Sequence, residues 1–349
     1  MAEILGLGIT HQPPLGAGEG IRPRSLMTTL KDPGLPAHLR DPANWPARMR
    51  KEWGQDEGAT HAREHQAEIA IELRKIRAAL DAFNPDAVIA FGDDHFENFK
   101  DDIVPPFSVL AYEKIEFKPW EKAPNNYWNE PADKLFTVPG HKAAGKYLAK
   151  GLLEQSFDVA YAYRPLHTPA GHAFRNTVMY MDWDRKGFPY PLIPVVVNCY
   201  GRTLVHYSGY LGKVGETLTE EQLDPPSPSP ARCFDLGVAI ARTMSASPWR
   251  TAIIATSSWS HAFLTEKTYH LYPDHEADLA LFEALKVGDY ETWRKRSLAE
   301  VEDSGQHEML NWYCMIGAMA ELKRKPDYAK YIESSVMNSN KVFATFREA

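Results

Sequence analysis

Three stretches of this chain are apolar almost without a break: "AVIAF" (87–91), "LIPVVV" (192–197) and "AIIAT" (252–256). Each is too short for a buried helix and lacks the in–out alternation of a half-exposed strand, so each must be covered on both faces. "EILGLGIT" at residues 3–10 and "FDVAYAYRPL" at 157–166 read as further strands. Helical periods separate these runs. In "THAREHQAEIAIELRKIRAALDAF" apolar residues recur at Ile69, Leu73, Ile76 and Leu80, with Thr60 as N-cap and Asn84-Pro85 as the stop. "GHKAAGKYLAKGLLEQ" and "PARCFDLGVAIARTMSA" show the same spacing. Such alternation predicts an α/β fold, with a mostly buried central sheet flanked by helices and a site at the strand carboxyl ends. No linker or repeat divides the chain, so residues 1–349 read as one domain. Segments 20–60 (rich in Pro, Gly and Trp) and 200–230 (with "DPPSPSP") read as long covering loops.

Composition narrows the functional classes. A formal charge of −7 over 349 residues argues against a nucleic acid or an anionic membrane surface as partner. No apolar run approaches the roughly 20 residues of a membrane span, and "MAEILGLGIT" lacks the basic start of a signal peptide. The three cysteines, Cys199, Cys233 and Cys314, lie far apart in apolar contexts, as expected of reduced, buried thiols in a cytoplasmic protein.

The chemistry lies in the histidines. Three strands are followed within a few residues by one: His11 after "LGLGIT", His95 after "VIAFGDD" and His261 after "IIATSSWS". A fourth strand is followed by His167 and His172. A lone histidine is more often structural than catalytic, but this fold brings strand ends together. Glu308, opening the apolar helix "EMLNWYCMIGAMAEL", supplies a carboxylate, although a first-turn glutamate also simply suits the helix dipole. Two imidazoles and one carboxylate form the facial arrangement of non-haem Fe(II) sites, which leaves positions open. Asp93 and Asp94 are candidates to orient a metal-bound ring. Arg175 and Asn176 are candidates for a substrate carboxylate or hydroxyl. His61 and His65, at i and i+4, raise the alternative of a zinc hydrolase, but the first lacks the following glutamate of metalloprotease helices. A binding protein without catalysis is the other alternative. Trp120, Tyr127, Trp128 and Phe136 suit core or loop packing, and His206, His270 and His275 read as surface or structural.

The ordered motifs "GITHQPPLG", "FGDDHFENF", "IPVVVN", "ARCFDLGVAI", "SHAF" and "SGQHEMLNW" resemble those of the class III extradiol ring-cleavage dioxygenase family. The resemblance runs from about residue 4 to about residue 320, leaving 321–349 as a C-terminal extension. It implies Fe(II) held by His11, His95 and Glu308, with His261 as the acid/base and His172 as a second active-site histidine. Dioxygen would be the co-substrate, and the substrate a catechol-, gallate- or aminophenol-type ring. The sequence departs from the family in two places. "AGHA" leaves His167 and His172 as rivals for one position, and "SSWSH" puts the bulk of Trp259 near the pocket. A homo-oligomer is expected, with a separate small subunit as the alternative.

Overall fold

The apolar runs assemble side by side. A computed structural model describes residues 2–18, 20–123, 125–210 and 212–348. Eight strands form one mixed sheet: β1 (Ile4–Ile9), β2 (Ala87–Asp93), β3 (Phe107–Leu110), β6 (Ala160–Ala162), β7 (Leu192–Val197), β8 (Thr251–Thr256), β9 (Tyr328–Ile332) and β10 (Lys341–Phe346). Their spatial order is β6-β3-β7-β2-β8-β1-β10-β9. The four central strands, β7, β2, β8 and β1, are parallel, whereas β3 pairs antiparallel with β7 and β10 antiparallel with β1. A separate hairpin joins β4 (Lys114–Phe117) to β5 (Phe136–Pro139).

Side chains alternate between two cores. Ala87, Ile89 and Phe91 of β2 face one core, shared with α4 (Lys142–Glu154), α6 (Pro230–Ser245), α7 (His275–Val287) and α10 (Leu310–Glu321). Val88 and Ala90 face the other, shared with α3 (Ala59–Phe83) and α5 (His172–Met181). Burial on both faces is why these strands carry no polar alternation. "LGLG" has its own explanation. A Cβ on Gly6 would lie 2.5 Å from Met319 Sδ, and one on Gly8 2.0 Å from the Trp312 ring, so α10 seats against β1 only because these side chains are missing.

Helix α3 begins one residue before the expected cap. Gly58, in a left-handed conformation, precedes it, and the Asp56 carboxylate accepts from both the Thr60 amide (2.9 Å) and its hydroxyl (2.7 Å). The first-turn amide is served from outside the helix, so Thr60 is no N-cap. The 20–60 segment holds two short helices, α1 (Arg24–Thr29) and α2 (Ala47–Trp53), and packs Ile21, Leu26, Trp45 and Met49 against Leu271, Val336 and Met337. Residues 321–349, beyond the reach of the resemblance, supply β9 and β10 to the main sheet. All three cysteines are free and buried. Among the described residues no helix is long and apolar enough to cross a membrane.

Candidate metal centre

Strand register decides which side chains meet. Ile9 of β1 lies opposite Thr256 of β8, and Asp93 of β2 opposite Val197 of β7, so the parallel strands end along one edge. His11 follows β1 by two residues, Asp93 ends β2, and His95 stands two residues beyond it. Glu308 comes from a short 3₁₀ turn, His307–Met309, that leads into α10. His11 Nε2 lies 3.5 Å from Asp93 Oδ1 and 3.4 Å from Glu308 Oε2. His95 Nε2 lies 3.2 Å from Asp93 Oδ2 and 3.5 Å from Glu308 Oε1.

The opposite ring nitrogens explain this arrangement. His11 Nδ1 donates to the Thr256 carbonyl (2.9 Å), and His95 Nδ1 lies 3.3 Å from the Gly209 carbonyl. A carbonyl only accepts, so each Nδ1 carries a hydrogen and each Nε2 faces inward, where it holds either a second proton or, through its lone pair, a cation. The two Nε2 atoms face carboxylate oxygens at 3.2–3.5 Å, an arrangement that needs positive charge, a proton or a cation, between them. Asp93 Oδ2 and His95 Nε2 are buried without a hydrogen-bond partner among the described residues. Burial opposes charge on either ring, yet Asp93 and Glu308 outweigh it, raising His11 and raising His95 well above the ordinary imidazole range. Burial likewise opposes charge on Glu308, but His261, His11 and His95 hold it well below the usual carboxylate range. A field that favours a proton here also favours a divalent cation. Asp93, His95 and Glu308 converge closely enough to hold one, as do His11, Asp93 and His172.

Other groups brace and line the site. Asn311 of α10 donates to Asp93 Oδ1 (3.1 Å), Asn176 donates to the His11 carbonyl (2.9 Å), and Tyr200 donates to Glu308 Oε1 (2.6 Å). His261 follows β8, with Nε2 3.4 Å from Glu308 Oε2 and a buried Nδ1 that has no hydrogen-bond partner among the described residues. For His261, burial outweighs the attraction of Glu308 and lowers the imidazole pKa, which favours the neutral ring. His172 opens α5, and its Nδ1 lies 2.7 Å from Glu97 Oε2. His261, His172, Glu97, Asn176 and Glu308 line a cavity of about 840 Å³ together with Arg175, Trp120, Phe96, Phe263, Tyr210 and Asn338.

The structure separates the sequence candidates. His11, His95, His172, His261, Glu308, Arg175 and Asn176 all reach the cavity. His167 does not: it is paired with Asp102 (3.0 Å) near the surface, which leaves His172 in the pocket. The two aspartates also part company. Asp93 faces the imidazoles, whereas Asp94 caps a loop, accepting from the amides of Asn98 (2.8 Å) and Phe99 (2.9 Å). Trp259 adds no bulk to the pocket. Its fully buried ring packs in the core among Phe282, Trp293, Trp312 and Tyr331 and is absent from the cavity lining. His61 and His65 stack at 5.7 Å, but His61 bonds Ser334 (2.9 Å), burial holds His65 well below the ordinary imidazole range, and no carboxylate joins the two in a cluster that could hold a metal among the described residues. His270 bonds Glu266, and His275 bonds Asn340 and Ser335. Sequence reasoning overlooked Tyr200, Asn311, Gly209 and Asn338. Tyr200 follows β7 much as His95 follows β2, a signal available but unused. Nothing local marks the other three.

Residues 222–344 match the family described as the catalytic LigB subunit of aromatic ring-opening dioxygenase. A 2,3-dihydroxyphenylpropionate/2,3-dihydroxicinnamic acid 1,2-dioxygenase of Comamonas testosteroni is 26% identical over 196 residues, covering 56% of this chain and 49% of the relative. A second enzyme of that name, from Pseudomonas putida, is 29% identical over 134 residues, 38% of this chain and 37% of its own. Gallate dioxygenase of Pseudomonas putida is 23% identical over 202 residues, 56% of this chain and 51% of its own. The chain spans about half the length of the curated relatives it matches. With the α/β sheet and the histidine–carboxylate centre at its carboxyl edge, these matches support the class III extradiol dioxygenase family for this chain.

Proposed function

We propose that this protein is a cytoplasmic, non-haem Fe(II)-dependent extradiol dioxygenase that opens the ring of a catechol-, gallate- or aminophenol-type aromatic with O2. The observation that carries the reading is the convergence of the inward Nε2 atoms of His11 and His95 on Glu308 and Asp93 at the base of a cavity. His11, His95 and Glu308 would hold the metal, with Asp93 as an adjacent second carboxylate. Ferrous iron, when bound, supplies positions for a vicinal diol and dioxygen and the electron transfer that dioxygen needs.

The protein groups handle protons and orientation. His261 lines the cavity beside Glu308, its burial favours the neutral ring, and it takes a proton from the diol and returns it to the opening ring. His172, held by Glu97 at the start of α5, presents its ring edge-on to His95 (4.6 Å between centroids) and fixes the side from which a diol enters. Arg175 lines the same wall, 3.4 Å from Glu97 Oε1, where it can turn to an anionic ring substituent. Trp120 and Phe263 supply flat apolar surface for the ring. Subunits are expected to associate as a homo-oligomer, with the 20–60 segment covering the site in place of a small partner chain.

Protein loaded anaerobically with Fe(II) and screened against catechols, gallates and aminophenols should consume oxygen and form a yellow ring-fission product. His95→Ala should lose iron and activity together, and full iron retention would refute the ligand assignment. His261→Ala should keep iron and substrate affinity while turnover falls by about 10²–10⁴-fold, the usual contribution of a positioned acid/base. Unchanged turnover would remove His261 from the chemistry.

A further inference from the structure

We infer that Tyr200 is a positioning residue for the metal-binding carboxylate, setting which oxygen of Glu308 faces the ion; this rests on the metal-centre reading above. Tyr200 lies three residues past β7, on the same edge of the sheet as the histidines. Its hydroxyl donates to Glu308 Oε1 at 2.6 Å, within the range of charge-assisted O–H···O⁻ bonds. This is the one hydrogen bond drawn to the Glu308 side chain among the described residues, apart from its contacts with the histidines.

The geometry gives the two carboxylate oxygens different tasks. Oε1 takes the Tyr200 hydroxyl and lies 3.5 Å from His95 Nε2. Oε2 lies 3.4 Å from both His11 Nε2 and His261 Nε2. The terminal torsion of a glutamate is broad and nearly two-fold, so nothing intrinsic to the side chain prevents rotation that would mix these roles. Glu308 also sits in a single 3₁₀ turn with no side-chain cap, a weak support for such a constraint. Tyr200 is itself well held. Its ring is edge-on to His95 at 4.2 Å and stacks near His307 at 6.1 Å, and its carbonyl accepts from the Thr203 amide at 3.1 Å. One aromatic ring therefore buttresses a histidine ligand while its hydroxyl orients the glutamate. Tyr200 is buried and does not line the cavity, so it acts through the ligands and not on the substrate.

The test compares wild type, Tyr200→Phe and His95→Ala as full-length, metal-free proteins titrated anaerobically with Fe(II) and separately with Co(II). Tyr200→Phe should keep native circular dichroism, bind either metal about 10–100-fold more weakly, and shift the visible ligand-field bands of the Co(II) form, as loss of a ligand's outer hydrogen bond does. A purely structural tyrosine would move neither the affinity of the folded protein nor the Co(II) spectrum. Wild-type affinity and an unchanged spectrum in Tyr200→Phe, with metal lost from His95→Ala, would overturn this inference alone. Failure of wild type to bind either metal would overturn both it and the metal-centre reading. If Tyr200→Phe does not fold, Tyr200→His supplies a ring and a donor that should recover part of the affinity, and no recovery in a folded variant counts against the inference.

Discussion

Glu97 shows how a residue outside the candidate metal ligands can tie the site to stability. It lies in the loop after β2, yet its Oε2 accepts from the amide of His172 and contacts that ring, both at 2.7 Å, on α5. Burial works against its charge, but His172 and Arg175 more than compensate, and the carboxyl falls from an ordinary 4.5 to about 2. A carboxylate depressed in the folded state stabilises fully above its unfolded pKa, and that contribution is lost as pH falls through the folded value. Stability should therefore drop between about pH 4.5 and pH 2 by an amount on the order of 2–3 kcal/mol from this group. In Glu97→Gln that part of the acid limb should flatten in denaturant titrations across the same range. An identical slope in wild type and variant would show that the pair adds nothing. The residue scale is also where sequence and structure differ most. Asp93 and Asp94 are indistinguishable as neighbours in "GDDH", but strand pleat sends the first toward α10 and the histidines and leaves the second to cap a loop. His167 and His172 separate for a similar reason: one precedes α5 on an exposed loop and the other begins the helix.

At the scale of elements, the long apolar strands and amphipathic helices were legible because periodicity reports burial directly. β2, β7 and β8 occupy the runs that announce them, and α6 spans Pro230–Ser245 with the Ser229 side chain accepting from the Arg232 amide. The short strands β3, β4 and β5 escaped, because they have only four residues each and gain their order from neighbours, whereas β6 lies inside the strand read at 157–166. Packing between α6 and α10 also has no periodic signature. Each helix offers a glycine to the other's backbone: a Cβ on Gly237 would stand 1.7 Å from the Cys314 carbonyl oxygen, and one on Gly317 1.9 Å from that of Phe234. Backbone cannot yield as a flexible side chain does. Gly237→Ala should thus destabilise by more than the ~1–3 kcal/mol of ordinary overpacking, whereas Gly6→Ala, which meets the mobile end of Met319, should cost less. Chemical denaturation of the two variants checks the order, and equal losses would mean that the helices slide apart at little cost.

For the whole molecule, the sheet collects residues from positions 11, 93, 95, 261 and 308 into one cluster, with Tyr200 behind it and Gly209 at its side. The segment after residue 320 completes the sheet through β9 and β10, and its Asn338 enters the cavity wall while the Met337 carbonyl accepts from Gln12 beside His11 (2.8 Å). The covering loops also take part, since Gly209 within the 200–230 segment supplies the carbonyl that orients His95. By itself, the sequence determined the α/β class, the burial of the central strands on both faces and the placement of histidines just past strand ends. These follow from local quantities: hydrophobic period, strand length and what comes after the last apolar residue. Only tertiary structure decided which carboxylate faces the imidazoles, which histidine enters the pocket, that Trp259 turns into the core and that Tyr200 reaches Glu308. Those outcomes depend on register between strands distant in sequence and on which pleat face each residue occupies, and a shift of one residue would reverse them.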